Sequence, residues 1–269
     1  MTGLVKLREF WSCALAVGAS PAARWTIFWS ETKNVRVRLG LAAHRPHQVY
    51  NLDTTYGKLH LRDNFGDITN LPGLLHRGVY RPPSAVGEGT ILDVGANIGL
   101  AAAWFRREYP GREIHCFEPL EENARLVPLN CPGATVRRVA VGRTRGSVDL
   151  AVDADAVMAS TIPYSREAAR RTLEVVTLDE HVREHGVERV ALLKIDTEGM
   201  ELDVLAGAGR TLSITGVVAM ETHGMDRHRG SMTVLEAAGL TIDREEFRGG
   251  TGLVFASRPR AASNGSRGA

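Results

Sequence analysis

Lysine is almost absent from this chain. Only Lys6, Lys33, Lys58 and Lys194 occur, so nearly all of the positive charge is arginine; beside heavy use of alanine and glycine, this reads as high-GC bacterial coding rather than as chemistry. A surplus of either charge is missing too, with 33 basic against 31 acidic residues. So balanced a chain lacks the broad electrostatic footprint of a nucleic-acid binder, and no nucleic-acid partner is expected. Cysteine is scarce: Cys13, Cys116 and Cys131 are an odd number, and no pair has the short spacing of a metal knuckle or redox motif. That usage fits a reducing compartment, and a cytoplasmic location is expected. Long apolar runs are missing as well. The most apolar early stretch, Phe10 to Trp29, is interrupted by Ser12, Pro21 and Arg24 and falls far short of the roughly 18 residues a membrane span needs. The segment "CALAVGAS" matches a secretory leader only weakly, and the Trp25, Phe28 and Trp29 that follow point to a helix laid on a core. No stable membrane insertion is expected.

What is present suffices for one sizeable core. With 269 residues, 43% apolar and 24% charged, disorder, collagen and coiled coil are excluded. From Val49 to Asp67 apolar and polar residues alternate around Tyr56-Gly57-Lys58, the pattern of a hairpin. Arg81-Pro82-Pro83, then Gly87 and Gly89, punctuate the chain. The organisation expected is therefore a helical and hairpin cap over 1–88, a main core over 89–258 and a frayed polar tail over 259–269. In the core, strand-like runs Thr90 to Val94, Ile114 to Phe117, Thr135 to Val141, Val190 to Ile195 and Val217 to Met220 alternate with helical ones. The helical stretches are Leu100 to Glu108, Leu120 to Leu129, Met200 to Ala206 and Met232 to Ala238. The fold class expected is α/β, a mostly parallel, Rossmann-like sheet with helices on both faces. Ser147 to Val152 and Leu173 to Val176 break the rhythm as an inserted hairpin or edge strands, and two more strands are expected between Leu240 and Ser257.

The sharpest local signal is "ILDVGANIGLAAAWF", a buried strand running through Gly95 and Gly99 into a helix. In an open α/β sheet the ligand crevice lies at such a turn, where glycines let a ligand approach the backbone. The loop Gly95-Ala96-Asn97-Ile98-Gly99 lacks the third glycine of a dinucleotide fingerprint. A carboxylate at Asp93 would repel a pyrophosphate but favour a cofactor with an ammonium and a sulfonium, S-adenosylmethionine. Glu118, 25 residues further on, ends the next strand and can accept both ribose hydroxyls, as it would in a nicotinamide enzyme as well. Ala140 and Val141 end the third strand, where an adenine ring would lie. An NAD(P)-dependent oxidoreductase and a non-catalytic adenosine-binding domain are the alternatives to a methyl-transfer enzyme.

The segments "DVGANIG", "HCFEP", "VTLDEHV", "LLKIDTEGMELDVLAGA" and "VAMETHG" resemble those of the FkbM family of S-adenosylmethionine-dependent methyltransferases. The resemblance runs roughly from Asn51 to Gly224, and "LLKIDTEGMELDVLAGA" carries most of it. It implies a class I methyltransferase fold and O-methylation of a hydroxyl on a sugar, a polyketide or another small molecule of secondary metabolism. It also places Asp196 near the cofactor's methionine portion or the acceptor.

Methyl transfer from a sulfonium is an in-line displacement, so the protein must align an acceptor oxygen and help remove its proton. The end of strand Val190 to Ile195 supplies Asp196 and Glu198, and that of Val217 to Met220 supplies Glu221 and His223. A neutral histidine can take a proton as transfer proceeds, so His223 is the first candidate base, with Asp196 and Glu198 as rivals. Glu198 and Glu201 also suit the start of a helix. Lys194, among carboxylates, reads as half of a buried ion pair. The four donors Asp196, Glu198, Glu221 and His223 could hold magnesium, but no H-E-x-x-H pattern occurs and a base makes a metal dispensable, so none is expected. Ser160 and Thr161 of an inserted loop, and Tyr56, Arg62, Asp63, Asn64 and Asp67 of the cap hairpin, are the remaining polar candidates for cofactor or acceptor contact.

Overall fold

The structure, a computed structural model, describes residues 3–64, 66–152, 159–160 and 169–259. Two helices open the chain, α1 (Gly3–Val17) and α2 (Pro21–Arg38). Pro21 stands in the first turn of α2, where its missing N–H costs nothing, and the Ser20 hydroxyl accepts from the Ala23 amide. A hairpin of β1 (Arg45–Thr54) and β2 (Gly57–Asp63) follows, its Tyr56-Gly57 turn where the sequence predicts it. A short 3-10 turn (Ile68–Asn70) and a π-helical turn (Pro72–Arg77) complete the cap.

The remaining chain runs β3 (Thr90–Val94), α3 (Leu100–Glu108), β4 (Ile114–Phe117), α4 (Glu121–Ala124), α5 (Val127–Asn130), β5 (Thr135–Arg137), β6 (Ala140–Val141), β7 (Gly146–Val152), β8 (Ala159–Ser160) and β9 (Ala169–Val176). It continues through α6 (Leu178–Glu184), β10 (Val190–Ile195), α7 (Glu201–Ala206), α8 (Gly209–Ser213), β11 (Thr215–His223), α9 (Met225–Ala237), β12 (Thr241–Arg248) and β13 (Thr251–Ser257). Seven strands form the main sheet in the order β12-β13-β11-β10-β3-β4-β5. The five from β11 to β5 are parallel, and β13 and β12 add an antiparallel edge. Strand order reverses at the β10/β3 junction, the place where open α/β sheets open a crevice beyond their carboxyl ends. The smaller sheet β6-β9-β7-β8 stands apart.

Alternating side chains send each central strand into two apolar layers. Ile91 joins Phe10, Cys13, Ile27, Leu59, Leu61 and Phe105, so cap and sheet share one core. Leu92 and Val94 face the other way, onto Val182, Val204 and Leu235 of α6, α7 and α9. Helices thus cover both faces, as expected. A buried hydrogen-bonded node also ties the cap down. The Arg62 guanidinium pairs with Asp67 (3.0 and 2.8 Å) and donates to the side chains of Asn123 and Asn97.

Four local expectations need correction. Thr135 to Val141 is not one strand: it breaks at Arg138-Val139, and Ala140-Val141 crosses to pair with Val175-Val176 of the small sheet. Leu120 to Leu129 splits into two single turns, because Pro128 has no N–H to give the preceding turn and its ring clashes with it. The helix expected from Met232 begins at Met225, its polar first half hiding the periodicity. The strand expected to end at Met220 runs to His223, which puts Glu221 and His223 on one face. The tail 260–269 lies outside the described residues.

Three histidines meet under the sheet: His115 Nδ1 lies 2.8 Å from His181 Nε2, and His181 stacks on His185 at 4.1 Å. Burial first, then the neighbouring imidazoles, push His181 down to about 3. Its unfolded counterpart takes a proton near pH 6.5, so stability is full above that pH and is lost as pH falls from 6.5 toward 3. Urea unfolding between pH 7 and 4 should show a slope of up to about 1.4 kcal/mol per pH unit from this one proton. His181→Leu should flatten that slope, whatever it does to absolute stability.

Candidate active site

The loop after β3 is shaped by backbone constraint. Gly95 has φ +77°, and a Cβ there would lie 1.8 Å from the Asp196 carbonyl oxygen, so no other residue fits. This close approach lets the Asp196 amide bond to the Val94 carbonyl (3.0 Å) and brings the ends of β3 and β10 together. Beside the loop lies a cavity of about 640 Å³. Gly95, Asn97, Glu118, Ala140, Val141, Asp196 and Glu198 line it together, with Phe117, Leu150 and Met200 among its apolar walls. Glu118 is buried, pushed up by burial, and is held as an acceptor by the Leu120 amide (3.0 Å), the Asn123 side chain (3.1 Å) and the Asn97 amide (2.9 Å). A carboxylate so fixed can take a ribose diol, and the apolar wall can take a flat heterocycle.

Two of the expected cofactor contacts fall elsewhere. Gly99 does not line the cavity: with φ +87° it turns the chain into α3, and a Cβ there would press on Val127 at 3.1 Å. Asp93 does not reach the crevice either. Sheet register sets it beside Lys194, and the two fully buried groups pair at 3.0 Å. Burial pushes Asp93 up, and the ammonium offsets part of that push. Lys194 also donates to the Gly95 carbonyl at 2.6 Å. Burial opposes its charge, yet Asp93 and Asp196 hold it above the ordinary lysine value.

Beyond the loop the strand ends assemble a second, acidic centre. His223 is not the free neutral base that the sequence suggests. Its Nδ1 lies 2.8 Å from Glu201 Oε1 and its Nε2 3.1 Å from Glu198 Oε2, with Glu221 Oε1 at 3.8 Å. Against the cost of burial, these carboxylates raise the imidazole to about 9. Both ring nitrogens thus face carboxylates. Burial and Asp196 in turn raise Glu221 to about 8. Glu198 adopts a left-handed φ of +51°, a conformation that costs a side-chain-bearing residue energy and recurs at functional sites. Sequence reasoning missed Tyr80. Its buried hydroxyl donates to Asp196 Oδ2 (2.8 Å) and lies 3.4 Å from Glu221 Oε2. It also read Glu201 as a helix-start charge, whereas the fold buries it completely behind His223.

A cleft of about 1110 Å³ opens here between α1, the two cap turns and the strand ends, lined by Phe10, Asn70, Arg77, Tyr80 and Glu221 among others. Asn97, Asp196 and Glu198 wall both this cleft and the first cavity. The expected hairpin residues do not line it. Tyr56 donates to the Leu75 carbonyl (2.6 Å), Asp63 pairs with Lys33 and His44, and Arg62, Asn64 and Asp67 form their own node. Of Ser160 only the backbone is described, and Thr161 lies outside the described residues.

A cavity at the switch point lined by a buried carboxylate and an apolar wall, sharing residues with an acidic cleft, is the arrangement of a class I S-adenosylmethionine-dependent methyltransferase. Residues 93–239 match the methyltransferase FkbM domain, and the chain belongs to that family. It is 28% identical over 209 residues to the 31-O-demethyl-FK506 methyltransferase FkbM of Streptomyces tacrolimicus, covering 64% of this chain and 78% of that one. It is 29% identical to methyltransferase sdnD of Sordaria araneosa, over 44% of this chain and 59% of that one. A 27% identity links it to the hexuronic acid methyltransferase AglP of Haloferax volcanii, over 52% and 58%. The chain thus spans little more than half the length of two of these relatives. Among solved structures, fibrillarin of Aeropyrum pernix with bound S-adenosylmethionine overlaps at a TM-score of 0.41 and 16% identity, over 62% of this chain and 66% of that one.

Glu118→Gln should leave the fold intact and weaken S-adenosylmethionine binding about tenfold or more by calorimetry, since it removes the charge from a hydrogen bond worth about 1.5 to 3 kcal/mol. Asp93→Ala should act differently. It strands a buried ammonium, so unfolding in urea should show a loss of about 3 to 5 kcal/mol before any cofactor is added. Two variants of equal stability, both impaired only in binding, would return Asp93 to the crevice.

Proposed function

We propose that this protein transfers a methyl group from S-adenosylmethionine to a hydroxyl oxygen of a small polar molecule, a sugar or a hydroxylated polyketide. The observation that carries the reading is the shared wall: Asn97, Asp196 and Glu198 face both the nucleoside cavity and the acidic cleft. The residues fit the cofactor by their chemistry. Glu118 offers acceptor oxygens to ribose hydroxyls, Ala140 and Val141 with Phe117 offer an apolar slot for adenine, and the carboxylates of Asp196 and Glu198 suit a sulfonium and an ammonium. Bound there, the cofactor supplies an electrophilic methyl group. The protein's own work is alignment and proton removal. Tyr80 fixes one oxygen of Asp196, Lys194 fixes the loop carbonyl, and Asp196 or Glu198 receives the proton that the acceptor oxygen must lose. His223 positions Glu198 rather than acting as the base. The polar cleft lining, Asn70, Thr69, Glu9 and Arg77 among it, matches an acceptor rich in hydroxyls. The activities named for the relatives, on FK506 and on a hexuronic acid, lie within the same class.

The test is turnover with a methyl-labelled cofactor and a panel of free and glycosidic sugars, hexuronic acids and macrolide aglycones, the product's linkage read by NMR. A new methyl ether is expected. Label entering only nitrogen or carbon, or no transfer to any hydroxyl by protein that binds the cofactor, would overturn the reading. Asp196→Asn should lower kcat, measured at saturating cofactor, about 10²- to 10⁴-fold, the usual worth of a positioned base, beyond any loss of cofactor affinity.

A further inference from the structure

We infer that Asp196, Glu221 and His223 form a binding site for one hard divalent cation, of the Mg²⁺ or Mn²⁺ class, at the floor of the acceptor cleft. One donor atom from each of the three lies within 4.8 Å of the others. That is the spread expected of ligands about 2.1 to 2.4 Å from a common ion. The donors are also held as metal ligands usually are. Nδ1 of His223 is engaged by Glu201 Oε1 at 2.8 Å, which turns Nε2 toward the carboxylates of Glu198 and Glu221. A carboxylate behind a histidine is the common second layer of a metal site, where it fixes the tautomer and raises ligand basicity. Glu201 is fully buried, and its Oε2 has no hydrogen-bond partner. Its Oε1 also accepts from the Gly199 amide at 2.9 Å, which fixes the carboxylate against the imidazole.

Two further features point the same way. The Tyr80 hydroxyl contacts Asp196 Oδ2 and Glu221 Oε2, setting the two carboxylates side by side, and Asp196 Oδ1 is left buried without a partner. Carboxylates are also concentrated here: Asp196, Glu198, Glu201 and Glu221 gather about the one imidazole. Negative charges brought together out of water are costly unless a cation compensates them, and a divalent ion supplies that compensation where the ammonium of Lys194 is already committed to Asp93. Two carboxylates and one imidazole leave coordination positions open for water or for acceptor oxygens. A vicinal diol could fill two of them, with Glu198, facing both cavities, left to take the proton.

This role for the ion rests on the methyl-transfer reading, whereas its binding does not. Protein dialysed against EDTA and then chelator-free buffer should bind one Mn²⁺ per chain, read from the loss of the free-ion EPR signal, and Mg²⁺ should compete for it. The bound ion should show nitrogen modulation in electron spin-echo spectra, and His223→Ala should abolish it. Asp196→Asn and Glu221→Gln should weaken Mn²⁺ at least tenfold, whereas Glu184→Gln, on the exposed end of α6, should not. Absence of stoichiometric binding by the folded wild-type protein, or a bound ion without nitrogen modulation, would overturn the site, and needs no variant to fold. Mn²⁺ binding without methyl transfer to any hydroxyl would sink the proposed function and leave the site standing. Full methyl transfer by metal-free protein that binds no Mn²⁺ would do the reverse.

Discussion

The ion pair between Asp93 and Lys194 governs the geometry of the whole site. Both groups are buried, and such a pair is costly to assemble and more costly to break. It sits across the β3/β10 junction, where strand order reverses. From there the ammonium reaches the Gly95 carbonyl at 2.6 Å and comes within 4.0 Å of Asp196. One lysine thus connects the cofactor loop, the acidic centre and, through its position over the Tyr80 ring, the cap. In a chain with four lysines, the one at this place is tied to a carboxylate on the neighbouring strand, and its stem is buried in the sheet.

Cap and core are not separable in physical terms. Their apolar side chains form one continuous layer, and Arg62 carries a polar connection from the β2 strand end to Asn97 in the loop and Asn123 in α4. The cap also supplies Tyr80 and one wall of the cleft at the strand ends. The first cavity is lined from the ends of β3, β4 and β10 and from β6 and β7, and the cleft from α1, the cap turns and the end of β11.

The acidic centre follows from the same arrangement. The end of β10, the turn after it, the first residue of α7 and the last residues of β11 place four carboxylates and one imidazole in a partly buried pocket. Their mutual repulsion is relieved by hydrogen bonds from Tyr80 and His223. The imidazole is consequently raised, opposite in direction to His181, which burial and neighbouring imidazoles push down. Identical side chains serve opposite roles because their surroundings differ in sign.

The sequence by itself determined the α/β class, the strand and loop from Thr90 to Gly99, the acidic residue after β4 and the hairpin of the cap, because each is written in local periodicity or in a glycine that the backbone demands. It also named Asp196, Glu198, Glu221 and His223, since they follow buried strands directly. What only the tertiary structure decided is how these groups face one another. Asp93 turned inward because register paired it with Lys194. His223 faces carboxylates at both ring nitrogens because Glu201, a helix-start residue by pattern, is buried against one of them. Tyr80 entered the site with no local signal, since nothing around it in the chain resembles a motif and its partners lie 116 and 141 residues away. Local pattern fixes which elements form and what they carry, but protonation, pairing and contact depend on burial and on neighbours distant in sequence, and those exist only once the sheet has closed around them.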